Sequence, residues 1–147
     1  VISLFYGKRH PSKLLNNLST GAFERKMGIS WLSTDLEQLA KYQNDEKCGF
    51  LFTASAYHEL FCMIHEISKK EWAASFPNDF PVYLFSGAED PVGAMGRGVT
   101  KVYQRLVSAG KTDASMKLYP GGRHEMLNER NREEVYEDVW NWISERM

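Results

Sequence analysis

The chain has 147 residues, with 18 Lys+Arg against 19 Asp+Glu and a formal net charge of −1. That is the size of one domain able to bury a core, and the charge balance speaks against a nucleic-acid binder, which carries a basic surplus. Hydrophobic residues at 43% and charged residues at 25% describe an ordinary globular composition, and no apolar run reaches the roughly 18 residues of a membrane span.

Residues 1–9, Val-Ile-Ser-Leu-Phe-Tyr-Gly-Lys-Arg, place no charged region ahead of an apolar one, so they do not read as a signal peptide. They also lack an initiator Met, which suggests a chain cut from something longer. Segment 8–32 holds Pro11, Gly21 and Gly28 among short apolar groups and predicts short helices and loops. Ser33 or Thr34 is expected to cap a helix running through Tyr42, with Leu36, Leu39 and Ala40 on one face and Asp35 and Glu37 in the first turn. Cys48 and Cys62 allow at most one disulfide. Two reduced thiols in a cytoplasmic protein is the preferred reading. A longer helix follows Thr53, where Tyr57, Leu60, Phe61, Ile64 and Ile67 recur at helical spacing.

The texture changes at Phe76-Pro77-Asn78-Asp79-Phe80-Pro81. Val82-Tyr83-Leu84-Phe85 reads as a strand buried on both faces of a parallel sheet, ended by Gly87. Val99, Val102, Tyr103, Leu106 and Val107 outline an amphipathic helix stopped by Gly110. Ser115 to Tyr119 reads as a second strand, closed by Pro120-Gly121-Gly122. Asn131 and Glu134 then predict a capping box, ahead of a last helix with Val135, Val139, Trp142 and Ile143 facing the core. Strand–helix–strand–helix is a crossover unit of an α/β fold. Two parallel strands do not make a stable open sheet, so the chain reads as the trailing part of a larger one.

In open α/β sheets, ligands bind beyond the carboxyl ends of the strands. Two loops leave that edge. One, Ser86-Gly87-Ala88-Glu89-Asp90-Pro91, offers a carboxylate, and the other, Pro120-Gly121-Gly122-Arg123-His124-Glu125, offers an imidazole. Adjacent strands lie about 5 Å apart, so the loop tips can meet. An acid followed by a His on successive strands is the second half of a Ser-acid-His relay, in which the carboxylate orients the imidazole. Singly, Asp90 before Pro91 is also a common turn former, and His124 suits a surface loop. Glu89 is the fallback acid.

Other signals are weaker. His-Glu occurs at 58–59, 65–66 and 124–125, but positions 62, 69 and 128 are Cys, Lys and Asn, so no zinc-protease helix forms. His58, Cys62 and His65 share a helical stripe, yet residues seven apart sit about 10 Å apart, and packing is the preferred reading over metal binding. Gly93, Gly96 and Gly98 lack the Lys-Ser/Thr of a phosphate loop. The acidic stretch 129–138 is expected to be the solvated face and first turn of the last helix. The aromatics Trp31, Phe50, Phe52, Tyr57, Phe61 and Trp72 are expected mostly in the core, with some free to line an acyl groove.

Together, Ser86-Gly87-Ala88-Glu89-Asp90-Pro91-Val92-Gly93 and Lys117-Leu118-Tyr119-Pro120-Gly121-Gly122-Arg123-His124-Glu125-Met126-Leu127-Asn128-Glu129, continued by Asn131 to Tyr136 and Trp142, resemble the C-terminal end of α/β-hydrolases of the monoacylglycerol lipase/lysophospholipase type. These are grouped with the serine aminopeptidase-like hydrolases. Trp31-Leu32-Ser33, Tyr42, Asp45, Cys48-Gly49-Phe50 and Thr53 resemble the cap of bacterial members. The resemblance implies an α/β fold with a helical cap over residues 1–76, then over 77–147 the last two parallel strands of the core and their helices. It implies Asp90 as the triad acid and His124 as the triad base, with no cofactor and no metal. The family's Gly-x-Ser-x-Gly nucleophile elbow is missing, since none of the twelve serines has glycines two residues away on both sides. The expectation is therefore a serine ester hydrolase acting on a small lipid-like ester, its nucleophile-bearing N-terminal half outside this chain. Peptidase or short-chain esterase activity, or a non-catalytic self-associating module, are the alternatives. The expected partners are the substrate and either a second copy or the missing half, with no nucleic acid.

Overall fold

The computed structural model describes residues 7–147; residues 1–6, on which much of the signal-peptide reading rests, lie outside them. Six α-helices and two strands follow one another among the described residues. Helices α1 (Lys13–Ser19), α2 (Gly21–Met27), α3 (Leu36–Asn44) and α4 (Ala54–Ile67) come first. Then come β1 (Val82–Gly87), α5 (Arg97–Ser108), β2 (Ala114–Tyr119) and α6 (Arg132–Ser144). Short 3₁₀ turns occupy Gly28–Trp31, Lys70–Ala74 and Met126–Asn128.

Side-chain caps start three of the early helices. Ser12 accepts from the Leu15 amide at 3.3 Å, and Thr53 accepts from Ala56 at 3.2 Å. For α3 the cap is Asp35, not Ser33 or Thr34: its carboxylate accepts from Glu37 N at 2.9 Å and Gln38 N at 3.3 Å. The Gln38 amide first, then the Glu37 amide and Arg132, hold the Asp35 carboxyl below its ordinary range against some desolvation. Ser33 Oγ accepts from the Asp35 amide at 3.0 Å and donates to distant Asn128 O, while Thr34 Oγ1 donates to distant Glu129. Of the expected α3 face only Leu39 is buried, while Leu36 and Ala40 are exposed. The capping box at α6 also fails to form. The Asn131 side chain accepts no helix N–H and donates to Glu134 Oε2 at 3.1 Å.

Strands β1 and β2 pair in parallel, from Val82 opposite Ala114 to Gly87 opposite Tyr119. Helix α5 makes the crossover and buries Leu106 completely. Tyr119, Met126 and Val135 form the core cluster, with Phe85 and Val139 packed against it, and the Tyr83 and Trp142 rings stack at 5.6 Å. Buried Lys111 closes the turn before β1, donating to Phe76 O, to Pro77 O at 3.4 Å and to Asn78 Oδ1 at 3.2 Å. Two apolar faces are less covered than their patterns imply. Val82 to Phe85 are half-buried. On α4 only Tyr57 of the expected stripe is buried, whereas Phe61, Ile64 and Ile67 are 43%, 44% and 50% exposed. The helical period is right, but no layer of the described residues closes over that stripe.

Candidate active site

Parallel pairing puts the ends of β1 and β2 on one edge, and the loops that leave them are zipped together by backbone. The Ala88 amide donates to Tyr119 O, and the Glu89 amide donates to Gly122 O, both at 2.9 Å. Glycine makes this approach possible, because a Cβ on Gly87 would lie 2.1 Å from the Gly122 carbonyl oxygen.

The first loop holds Asp90 rigidly. Its amide donates to Gly87 O at 3.3 Å, and its carbonyl accepts from Met95 N at 2.8 Å. Its Oδ1 accepts from Val92 N at 2.8 Å. The remaining oxygen, Oδ2, lies 3.1 Å from His124 Nδ1. Asp90 is 5% exposed, while the His124 side chain is 40% exposed. A carboxylate accepting from Nδ1–H leaves Nε2 as the acceptor nitrogen, aimed away from Asp90. Trp31 packs a tilted ring on the imidazole, with centroids 5.3 Å apart. Asp90 and His124 line a cleft of about 400 Å³ that Phe85, Ser86, Val99 and Leu127 help to wall. A larger hollow of about 660 Å³ beside α3 is edged by charged, exposed side chains such as Glu37 and Lys41 and brings no reactive pair together.

Other candidates separate from the site. Glu89, the fallback acid, is exposed, and the carboxylate that meets the imidazole belongs to Asp90. The glycine-rich segment after Asp90 is a tight left-handed turn, with φ of 53° at Ala94, 55° at Met95 and 78° at Gly96. The amides of Met95 and Gly98 go to Asp90 O and Gly93 O. The turn serves Asp90's loop, and non-glycine residues in that region carry strain of about 1–2 kcal/mol each. His58 and Cys62 touch at 3.8 Å on an exposed surface, and no set of three metal-ligating side chains gathers among the described residues. Both cysteines are free.

Glu129 departs from expectation. Its place at the start of an acidic stretch predicts a solvated side chain, yet it is 1% exposed. It accepts from Thr34 and from the backbone of Arg123, the residue before His124. Nothing in its local sequence distinguishes it from Glu133, which is exposed. Further along the same stretch, Asp138 and Glu134 bind Lys117 on β2, and Tyr119 Oη donates to Asp138 Oδ2 at 2.6 Å. The Lys117 ammonium, then the Tyr119 hydroxyl, hold the Asp138 carboxyl below its ordinary range; burial first, then that bond, pushes the Tyr119 phenol up.

An acid and a histidine presented from the ends of adjacent parallel strands, beneath a helical segment that leans on the histidine, is the closing portion of an α/β-hydrolase fold. Residues 3–131 match the serine aminopeptidase S33 family, and the chain belongs to that family. Among solved structures it is similar to a highly thermostable carboxyl esterase from Bacillus coagulans, in complex with glycerol. That match has 32% identity and a TM-score of 0.81 over 97% of this chain and 48% of the other. A lipase in an open form matches with 25% identity and a TM-score of 0.81, over 95% of this chain and 47% of the other. A soluble variant of monoglyceride lipase from Saccharomyces cerevisiae, in complex with a substrate analog, shares the fold at 18% identity and a TM-score of 0.65, over 94% and 52%. The chain thus spans about half the length of these structures. Among the described residues no helix is long and apolar enough to cross a membrane.

Proposed function

We propose that this chain supplies the acid and the base of a serine ester hydrolase acting on lipid-like monoesters such as monoacylglycerols or lysophospholipids. The carrying observation is the 3.1 Å contact of Asp90 Oδ2 with His124 Nδ1 at the carboxyl edge of the sheet. In this reading His124 Nε2 takes the proton of an attacking serine hydroxyl. It then returns that proton to the leaving alcohol, and water releases the acyl group by the same path. Asp90 holds the tautomer and steadies the imidazolium. The chemistry asks for no cofactor.

The nucleophile and the oxyanion-binding amides are assigned to an N-terminal half outside this sequence, with residues 1–76 as cap and 77–147 as the end of the core. Ser86, the serine in the cleft, supports that assignment: it is buried and gives its hydroxyl to Gly87 O at 3.3 Å. Similarity to a carboxyl esterase at 32% identity favours ester over peptide substrates. The two free thiols favour the cytoplasm.

The test is hydrolysis by the intact protein of esters graded in acyl length, alongside monoacylglycerol, lysophospholipid and aminoacyl-amide substrates. His124→Ala should lower ester turnover by about 10³-fold or more. Unchanged turnover in that variant, or amide cleavage exceeding ester cleavage, would overturn the reading.

A further inference from the structure

Residues 30–35 lie along the loop that carries His124, and the two segments are joined at every step. Arg123 Nη1 donates to Ser30 O at 2.5 Å, the Glu125 amide to Leu32 O at 2.8 Å, and Ser33 Oγ to Asn128 O at 2.9 Å. Asp35 pairs with Arg132 at 2.9 Å. Glu129 sits in the middle of this seam. Its Oε1 accepts from Thr34 N at 3.0 Å and from Arg123 N at 2.9 Å. Its Oε2 accepts from Thr34 Oγ1 at 2.6 Å, Thr34 N at 3.0 Å and Arg130 N at 3.3 Å.

Every one of these partners is a donor. A carboxylate offers acceptors only, so it satisfies the whole set, whereas a glutamine in either orientation would turn its NH₂ group toward backbone N–H donors. The grip on Arg123 N falls on the backbone next to the base. His124 needs such support, because 40% of its side chain is exposed and packing alone does not fix it.

Building on the proposed reaction, we propose that Glu129 is a positioning residue. It fixes the backbone ahead of His124 so that Nδ1 stays on Asp90, and through Thr34 it links that geometry to the segment whose Trp31 lies on the imidazole. Displacing residues 30–35 would then loosen the acid–base pair.

The experiment compares Glu129→Gln and Thr34→Val with the wild type in the intact protein. It reads kcat and KM separately, together with the low-field Nδ1–H proton resonance of His124 by NMR. A misplacement of about 1 Å can cost on the order of 10²-fold in rate. Glu129→Gln should therefore lower kcat by about 10- to 100-fold with KM within about twofold, and should broaden or shift the Nδ1–H resonance. Thr34→Val keeps the amide and removes one donor, so it should move both readouts the same way by a few-fold. If Glu129→Gln does not fold, Thr34→Val carries the test. Folded variants with wild-type kcat and an unchanged Nδ1–H resonance would overturn the proposal, even if their melting points fell. The resonance is read without turnover. If the wild type hydrolyses no ester, the reaction reading fails, while the resonance still decides the role of Glu129.

Discussion

Gly87 and Gly122 meet backbone against backbone at the edge of the sheet, and their contact sets how closely the two chemical loops approach. Neither has room for a side chain: a Cβ on Gly87 would strike Gly122 O at 2.1 Å, and one on Gly122 would strike Met126 Sδ at 2.6 Å. The Gly122 obstacle is a flexible side chain, but the Gly87 obstacle is a peptide group fixed by Glu89 N. Asp90 and His124 face one another because of this approach.

Gly87→Ala should therefore separate the loops. The overlap cannot be relieved without breaking the Ala88–Tyr119 and Glu89–Gly122 bonds, and overpacking of this kind costs about 1–3 kcal/mol. The denaturation midpoint should fall, and the His124–Asp90 proton resonance should be lost. A variant with the wild-type midpoint and resonance would contradict the argument.

Asp90→Asn tests the orientation of the imidazole. An amide can turn its NH₂ toward Nδ1, which places the ring proton on Nε2 and leaves that nitrogen unable to accept. In the intact protein kcat should drop by about 10³- to 10⁴-fold with little change in stability. Retention of more than a tenth of the activity would remove Asp90 from the relay.

The 147-residue chain on its own should show no esterase turnover and no stoichiometric labelling by a fluorophosphonate. Ser86 lies in the cleft but bonds to Gly87 O, and no serine bonds to His124 among the described residues. Mass spectrometry showing one fully labelled serine would be decisive against this.

The expected pH response follows from the tie between β2 and α6. Lys117, then Tyr119, depresses the Asp138 carboxyl in the folded state. A depressed carboxyl contributes stability that is fully present above the unfolded value of about 3.9 and is lost as pH falls through the lower folded value. Lys117 is raised by Asp138, then by Glu134. Its contribution is present below the unfolded value of about 10.4 and is lost as pH rises through the folded one. Lys117→Met should thus lower stability between those limits and flatten both limbs of the melting-temperature profile. Both side chains reach solvent, so added salt should shrink the difference. A variant profile parallel to the wild type would show that the tie contributes nothing.

What the sequence discloses and what it hides differ in range. The strands, the Thr53 cap and the Asp90 and His124 loops are written in neighbouring residues: apolar runs, a hydroxyl before a helix, glycines at strand ends. Ser33, Thr34 and Glu129 escape a local reading because each also has a partner about a hundred positions away; the Ser33–Asn128 and Thr34–Glu129 contacts both span 95. Before folding, Thr34 is a good cap and Glu129 a good surface acid. The long-range bond outcompetes both local options once β2 and residues 30–35 come together. The α4 stripe fails for the converse reason, since periodicity reports which residues share a face and not whether anything lies against it.

That uncovered surface leads to the last prediction, that the 147-residue chain associates with itself. β1 pairs only with β2 among the described residues, so its other edge keeps unpaired ladder groups beside an apolar, half-buried face. Phe61, Ile64 and Ile67 form an exposed stripe on α4, and Trp140 is exposed on α6. Contiguous apolar patches drive association, and a twofold arrangement buries the same patch on both copies. Sedimentation equilibrium should show a dimer or larger species, with the 82–85 edge or α4 protected from hydrogen exchange as concentration rises. Ile64→Lys should weaken an assembly built through α4 and leave one built through the strand edge intact. Supplying the proposed N-terminal half as a separate chain should compete with either. A strictly monomeric chain at every concentration, with β1 amides protected to the same degree throughout, would refute the prediction.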